Sequence, residues 1–374
     1  MPRLPVNNAV LRWALEDAEL TMEHVTAITG KGVDEVAAWL AGEQAPHKGD
    51  LTRIAARVGR SMQFFFLPTP PEPSFNTVRF RGAISGDSVD PAQELKAVRQ
   101  ATTIQDITRW SAQAHAAEAF TIPIPASSPE DYAQTLLGTL HWSTSTQIQA
   151  TSKSAIFKQL RTLIESLGVA VLYIDAGIGN CRGFSLPDAF APLIAINSAY
   201  TLASLKTFTL LHELGHLAHG EAAVCHDPAS DTEQWCDKFA AAFLMPEAQV
   251  RRYFSYKGWT SVSVSEIADR IRLVSNRFKA SWQAVAIRLR ELQLVDQSVV
   301  DHIFANSGEV AGGFNPDGGR TRPVIRLDEY GETFTRAILD LRGRQQISEF
   351  DARQQLRVNG NELNQIRLLA TGAA

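Results

Sequence analysis

The sequence predicts a mainly α-helical protein of the α+β class, with a small β-sheet near the middle of the chain. Apolar residues recur at helical spacing over most of the chain, beginning with 10–15. Two short apolar runs that are rich in β-branched residues, 169–174 and 193–197, predict buried strands. Helical spacing returns directly after the second run, over 201–220. Strands flanked by long helical stretches favour this class.

Composition excludes several kinds of protein. The chain has 374 residues, 45% hydrophobic and 20% charged, which is enough for two or three globular domains and excludes global disorder. We see no apolar run long enough to span a membrane and no signal-peptide core near the first methionine. The three cysteines, Cys181, Cys225 and Cys236, are too few for a disulfide framework. We therefore expect a cytoplasmic protein with no membrane partner.

Charge is spread unevenly along the chain. The net charge is −4, but residues 251–374 hold 18 Lys and Arg against 14 Asp and Glu, whereas residues 73–250 hold 11 against 17. An acidic middle and a mildly basic end indicate segments with different tasks.

The first 67 residues predict a bundle of short helices. Three of the helices are followed at once by a glycine, which is the usual residue after a helix C-terminus. Two short helices joined by a glycine-containing turn are typical of a helix-turn-helix. A proline-rich stretch, 68–73, then marks the best domain boundary. The predicted helices are 7–20, 22–29, 33–41 and 51–58.

Further helices are predicted from periodicity in the rest of the chain, and a loop is predicted where glycines cluster. The loop is 307–323, with five glycines and two prolines. The additional predicted helices are 91–119, 152–167, 201–220, 232–255 and 327–369.

A His-Glu-x-x-His segment carries the clearest chemistry. His212 and His216 are four residues apart, so on a helix both imidazoles lie on one face and can bind the same Zn²⁺ ion. Glu213 lies beside them but points elsewhere, which suits a general base that takes a proton from metal-bound water. The alternative is a pair of solvated histidines on an amphipathic helix.

A catalytic zinc ion needs a third protein ligand. Position 222 is alanine, which excludes a third histidine six residues after His216. Downstream, Thr232 can cap a helix on which Glu233 and Asp237 share one face. We predict Glu233 as the third ligand and Asp237 as the acceptor from a zinc-bound imidazole; an acidic solvated face is the alternative.

Other side chains near the motif could compete as ligands. His219 shares the histidine face, and we expect it to be solvated; a hydrogen bond to the substrate or to the oxyanion is the alternative. Cys236 is turned away from Glu233 and is predicted to be packed in the core. Cys225 and His226 lie in a predicted loop, where a thiolate that occupies the open zinc position stays an alternative.

These residues resemble the ImmA/IrrE-type metallo-endopeptidases. The resemblance is carried by 207–216, by Glu233 and Asp237 with the Leu-Met-Pro end of their segment at 244–246, and by 182–186 and 192–197 upstream. It covers about 75–374 and is specific within 182–246; the family more often has asparagine at position 237. The resemblance implies a zincin-like peptidase domain with a small sheet, and a narrow substrate, a helix-turn-helix repressor of stress or mobile-element genes.

The N-terminal segment resembles an Xre/Cro-type helix-turn-helix domain fused to such a peptidase. The helix expected to read bases, 33–40, contains Asp34 and Glu35 and no Lys or Arg, which disfavours base reading. Dimerisation or partner docking is the alternative role. The candidate DNA-contacting cations are Lys31, Lys48, Arg53 and Arg57.

Residues 264–294 resemble a second helix-turn-helix-like unit that follows the peptidase core in this family. Ser281 can cap a helix in this segment that carries Arg288 and Arg290. A solvated basic helix face is the alternative interpretation.

The predicted domains are a helix-turn-helix domain at 1–67, a linker at 68–74, a metallopeptidase domain at 75–255 and a helical region at 256–374. The first function hypothesis is a zinc endopeptidase that cleaves a repressor. The second is a DNA-binding regulator or antitoxin whose peptidase-like domain senses a partner. Promoter DNA, a toxin and a second copy of the chain stay open as partners.

Overall fold

The structure is a computed structural model, and it describes residues 3–71, 90–125, 128–220, 230–306 and 319–370. These residues form 17 α-helices and one three-stranded sheet, which confirms the predicted mainly α, α+β class. Within the same ranges, no helix is both long and apolar enough to cross a bilayer. The chain divides into two compact units, Met1–Thr103 with Asp175–Cys181, and Ile104–Ile174 with Arg182–Ala374. The predicted domain limits stay predictions, and 72–74 of the predicted linker lie outside the described residues.

The first unit is built on short helices that close on a small core. Its helix starts and stops follow local chemistry: Thr21 caps the second helix, and Gly30, Gly42 and Gly59 adopt the left-handed conformation at helix ends. Trp39 is among the residues fully buried at its centre. The helices are α1 (Asn8–Asp17), α2 (Met22–Thr29), α3 (Val33–Ala41) and α4 (Lys48–Val58), followed by a 3-10 helix at Met62–Phe66.

The second unit contains most of the chain and holds the sheet. Helix α5 (Pro91–Ala114) contributes its last residues to this unit. The strands are β1 (Ala170–Ile174), β2 (Gly183–Leu186) and β3 (Leu193–Asn197). The other helices are α6 (Pro129–Thr139), α7 (Thr144–Gln149), α8 (Lys153–Ser166), α9 (Ala203–His219), α10 (Asp231–Leu244), α11 (Glu247–Lys257), α12 (Ile267–Phe278), α13 (Trp282–Glu291), α14 (Gln297–Asn306), α15 (Arg322–Gly343), α16 (Glu349–Leu356) and α17 (Gly360–Ala370).

The sheet has the order β1-β3-β2. Strands β1 and β3 are parallel, with Ala170 opposite Leu193, whereas β2 and β3 are antiparallel, with Phe184 opposite Ala195. Every residue of β3 is buried, as expected for a central strand covered on both faces. One hydrophobic core runs from α6 and α8 through β1 and β3 to α9, α10 and α12–α14.

Several predicted elements differ from the structure. The predicted helix 232–255 is two helices, because Pro246 ends α10 and begins α11. The predicted helix 327–369 is three helices, α15 to α17. Helices α6 and α7 and strand β2 were not predicted. Of the predicted loop 307–323, residues 307–318 lie outside the described residues, and α15 already begins at Arg322.

The short helix α7 joins two ends of the core. Gln147 is fully buried and donates hydrogen bonds from Nε2 to the carbonyl oxygens of Leu244 (2.8 Å) and Phe278 (2.6 Å). These are terminal carbonyls of α10 and α12, which have no partner within their own helices. The amide therefore fixes the C-terminal end of α10.

The free edge of β1 is closed by side chains and by α15. Arg161 Nη2 donates to the carbonyl of Val171 (2.5 Å), and Thr333 Oγ1 donates to the carbonyl of Val169 (3.2 Å). Helix α15 is kinked at Gly331, whose φ of 73° lies in the left-handed region. A Cβ atom there would lie 2.6 Å from the Val171 carbonyl oxygen, so only glycine allows this approach.

Candidate functional site

Helix α9 carries the His-Glu-x-x-His segment. Its single turn between His212 and His216 places both imidazoles on one face, with their ring centroids 4.9 Å apart. His216 is fully buried and Glu213 is 5% exposed, so most of the motif faces the interior. Gly220, in the left-handed conformation, ends the helix one residue after His219.

Helix α10 brings the third side chain of the site. It begins at Asp231 and is capped by Ser230, whose hydroxyl accepts a hydrogen bond from the Glu233 backbone N–H (3.2 Å). The prediction that Thr232 caps this helix is therefore wrong. The consequence for the site is small, because Glu233 still occupies the first turn and Asp237 still lies one turn later.

Three side chains converge on one point. His212 Nε2 lies 3.1 Å from His216 Nε2 and 3.1 Å from Glu233 Oε2. His216 Nε2 lies 3.2 Å from Glu233 Oε1. Their ligand atoms all lie within 4.8 Å of one another, so in the described part of the chain these three side chains form a group that could hold a metal ion.

The donor set fits a zinc ion. A tetrahedral Zn²⁺ ion with bonds of about 2.0–2.1 Å places its ligand atoms about 3.3–3.4 Å apart. The observed separations of 3.1–3.2 Å are close to that spacing. Two imidazoles and one carboxylate are also donors that zinc accepts, and three protein ligands leave one position for water or substrate.

Asp237 contacts the other side of the first histidine. Its Oδ1 atom lies 2.9 Å from His212 Nδ1, the ring nitrogen that does not face Glu233. Burial lowers the pKa of His212, but the hydrogen bonds to Asp237 and Glu233 outweigh burial and raise this pKa to about 10. The two imidazoles conversely hold the pKa of Glu233 well below its usual range, although burial opposes the shift. The carboxylates of Glu233 and Asp237 thus stabilise a positive charge at the site, such as that of a bound cation.

Glu213 occupies a buried position beside the ligands. Burial raises the pKa of its carboxyl group, and the charges of His212 and His216 oppose the rise. Its Oε2 atom has no hydrogen-bond partner among the described residues. The Ser185 hydroxyl next to the carboxyl group also opposes the rise of the Glu213 pKa. An unsatisfied buried carboxylate oxygen next to three ligand atoms can accept a proton from a water molecule at the site.

Close packing holds the two helices and β2 together. A Cβ atom on Gly183 would lie 2.5 Å from Thr209 Cγ2 and 2.8 Å from the Ala195 carbonyl oxygen. A Cβ atom on Gly215 would lie 3.0 Å from Cys236 Sγ. Sequence reasoning did not single out these glycines as site residues; the side-chain partners that make them necessary come from other elements.

The other predicted neighbours of the motif have different places. Cys236 is fully buried in the core, as predicted. The ring of His219 packs edge-on against Trp235, with centroids 4.6 Å apart, so this histidine is not simply solvated as expected. Cys225 and His226 lie outside the described residues.

The four cations predicted to contact DNA do not form a common patch free of carboxylates. Lys31 pairs with Glu35 (3.2 Å), and Arg57 pairs with Asp90 (2.5 Å). Arg53 donates to the carbonyl of Thr29 (2.9 Å) and lies 3.4 Å from Asp50. Lys48 is exposed at the start of α4. Their role in DNA binding stays a prediction.

The second helix-turn-helix-like segment corresponds to α12 and α13. Ser281 caps α13 by accepting from the Ala284 N–H (3.1 Å), as predicted. Arg288 is only 4% exposed, and its Nε donates to the carbonyl of Met245 (2.9 Å). The interpretation of Arg288 and Arg290 as a solvated basic face is therefore wrong for Arg288, whereas Arg290 is exposed.

Comparison with known proteins finds a family match in the region around the site. No curated protein and no solved structure gives a significant match to the chain. Residues 164–290 match the family model described as the IrrE N-terminal-like domain, Peptidase_M78. The match includes the sheet and runs from α9 into α13, but it does not reach the N-terminal helices. It supports a metallopeptidase domain of the ImmA/IrrE type in this part of the chain.

Proposed function

We propose that the protein is a zinc-dependent endopeptidase in which His212, His216 and Glu233 hold the ion. The observation that supports this proposal best is the convergence of their ligand atoms at separations of 3.1–3.2 Å. Structural zinc sites normally have four protein ligands, whereas catalytic sites have three and keep a position open. A three-ligand site on a His-Glu-x-x-His helix therefore favours catalysis.

Glu213 and Asp237 have separate roles in the proposed peptide hydrolysis. When bound, Zn²⁺ supplies a Lewis acid that polarises the scissile carbonyl group and makes water more acidic. Glu213 takes the proton from the attacking water and later delivers it to the leaving amine. Its raised pKa suits both steps, because a weaker acid is a better base. Asp237 orients His212 by accepting from Nδ1–H, which leaves Nε2 as the ligand atom.

The substrate we propose is a helix-turn-helix repressor, cleaved at few sites to derepress stress or mobile-element genes. The family match around the site supports the peptidase part, and the resemblance of the wider chain to ImmA/IrrE proteins suggests the repressor. A gene next to that of this protein which encodes a small Xre-like repressor would supply the first candidate.

The test compares wild type with Glu213→Gln. We expect both proteins to contain about one zinc ion per chain by mass spectrometry, because Glu213 is not a ligand. Cleavage of the candidate repressor should fall at least about 100-fold in the variant. Glu118→Gln, at an exposed carboxylate, is the matched control and should cleave normally. Equal cleavage by wild type and Glu213→Gln would remove Glu213 as the base.

The second candidate is a DNA-binding regulator or antitoxin, and the tight α2–turn–α3 arrangement is the observation in its favour. Against it, α3 has no Lys or Arg, and three of the four candidate cations contact carboxylates. Binding to the protein's own promoter fragment at about 50 and 200 mM salt separates the two, since phosphate contacts make affinity salt-dependent. Absence of binding at both salt concentrations would exclude a role as its own repressor.

A further inference from the structure

The C-terminal ends of α11 and α12 form a surface that combines cations with one exposed tyrosine, Tyr256, above a second, Tyr253, that belongs to the core and is 7% exposed. We call this surface the α11–α12 basic face. Tyr256, on α11, is 80% exposed, although a large aromatic side chain is usually at least half-buried. The proposed peptidase chemistry uses none of these residues. The face consists of Arg252, Tyr253, Tyr256, Lys257, Arg277 and Lys279.

Two cations of the face, Arg277 and Lys257, lie over its rings. The guanidinium carbon of Arg277 lies 4.7 Å from the centroid of the Tyr253 ring. Lys257 Nζ lies 5.8 Å from the Tyr253 centroid and 5.7 Å from the Tyr256 centroid. These are cation–π distances, and both cations are also exposed to solvent.

The cations of the face have no carboxylate within ion-pair distance in the described part of the chain. Arg252, Lys257, Arg277 and Lys279 make no ion pair there. Neighbouring arginines behave differently, since Arg251 pairs with Glu247, Arg270 with Glu266 and Arg272 with Asp269. The charge of Lys279 is also felt by Lys153, whose pKa is lowered by burial and by this neighbour. The face is thus a local excess of positive charge.

We propose that the α11–α12 basic face binds single-stranded nucleic acid. Proteins that bind single strands without sequence preference combine cations that follow the phosphates with exposed aromatic rings that stack on bases. Unpaired cations around an exposed tyrosine provide both components. An acidic peptide would be attracted by the charges but would have no need of the exposed Tyr256 ring.

Duplex recognition by this region is less compatible with the structure. The helix that would enter the major groove in a helix-turn-helix is the second one, α13. Its residues Ala284, Val285, Ala286 and Leu289 are buried in the core, and Arg288 is bonded to the Met245 carbonyl. Helix α13 cannot leave this core without exposing it, whereas the basic face is already exposed.

The experiment measures fluorescence anisotropy of a labelled oligothymidylate of about 20 nucleotides with the full-length protein. Three or four phosphate contacts predict that the logarithm of the association constant falls with the logarithm of salt concentration with a slope of about −2 to −3. Tyr256→Ala should weaken binding at least about fivefold, through lost stacking. Lys257→Glu and Arg252→Glu should each weaken binding and make the slope less steep. Arg344→Glu, at an exposed cation directly after α15, should bind as wild type does.

Two controls keep the result interpretable. Circular dichroism of each variant shows whether it folds, and Tyr256→Phe retains the ring and should retain binding. No binding by wild type at about 50 mM salt would overturn the proposal. Unchanged binding by Tyr256→Ala and Lys257→Glu would overturn it as well. Binding of a polyglutamate peptide in place of the oligonucleotide would assign the face to an acidic protein partner and so contradict it.

Discussion

Asp237 Oδ1 lies 2.9 Å from His212 Nδ1, while His212 Nε2 faces Glu233 at 3.1 Å. One imidazole is therefore held between two carboxylates from the same helix, one at each ring nitrogen. Asp237 is half-exposed, with 52% of its side chain accessible, so burial does not account for its position. Its geometry is that of a partner which fixes the tautomer of a ligating histidine.

We predict that Asp237→Ala lowers zinc affinity about 10- to 100-fold, because His212 loses the acceptor that orients its ring. Asp237→Asn is the matched control and should stay close to wild type, since the amide oxygen can also accept from Nδ1–H. Competition with a chromophoric chelator measures both affinities. Equal losses in the two variants would show that the charge of Asp237, and not its acceptor atom, matters.

The second prediction concerns the close approach of β2 to α9. A Cβ atom on Gly183 would meet Thr209 Cγ2 and the Ala195 carbonyl oxygen at less than 3.0 Å, and the backbone oxygen cannot rotate away. Gly183→Ala should therefore lower the free energy of unfolding by about 1–3 kcal/mol, as overpacking does. Urea denaturation followed by circular dichroism provides the measurement.

Gly138→Ala is the control for this substitution. Gly138 lies within α6, and a Cβ atom there would have no atom within 4 Å. Alanine at an open helical position should be neutral or stabilise by up to about 1 kcal/mol. A destabilised Gly138→Ala with a normal Gly183→Ala would contradict the packing argument.

The third prediction concerns Arg288, which is buried with three partners. It donates to the Met245 carbonyl and pairs with Glu130 and Glu291. Arg288→Ala should cost about 1–3 kcal/mol, because two partly exposed carboxylates and the Met245 carbonyl lose their donor. Arg290→Ala, at the exposed arginine on the same helix, should change stability by less than about 0.5 kcal/mol. Similar costs in both variants would show that α13 contributes only helix propensity.

The metal-binding group could be proposed from sequence because its spacing is local. His212 and His216 are related by one helical turn, and Glu233 and Asp237 by another, so periodicity alone places each pair on a face. The helix start at Asp231 was harder to place. Ser230, Asp231 and Thr232 all have side chains that can cap a helix, and the structure uses the first.

Long-range partners explain most of what sequence reasoning missed. Arg288 donates a hydrogen bond to Glu130, which is 158 residues away in the sequence. No local pattern therefore distinguishes the buried Arg288 from the exposed Arg290. Strand β2 has four residues and includes a glycine and a serine, which weakens any strand pattern. Helix α7 has six mostly polar residues, so its signal was the cap Ser143. Helix α6 had the cap Ser128 and apolar residues at helical spacing (132, 133, 136 and 137), and sequence reasoning missed both signals.

The fourth prediction is a pH dependence that comes from Glu165. This side chain is 8% exposed and accepts from the Glu332 N–H (3.0 Å). Burial raises the pKa of Glu165 from 4.5 to about 6, even though the charge of Arg161 opposes the rise. The folded protein therefore holds this proton more tightly than the unfolded chain does. The corresponding stability is fully present below about pH 4.5 and is lost as the pH rises through about 6.

Glu165→Gln isolates this contribution because glutamine stays neutral at every pH. A shift of about 1.5 pKa units corresponds to about 2 kcal/mol. The free energy of unfolding of wild type, relative to that of the variant, should therefore fall by about 2 kcal/mol between pH 4 and pH 7. Urea denaturation of both proteins across this pH range measures the difference between their free energies of unfolding. Groups elsewhere in the chain titrate alike in both proteins, so their contributions cancel in this difference. A difference that stays constant, or that favours wild type at pH 7, would mean that Arg161 stabilises the ionised carboxylate more than burial destabilises it.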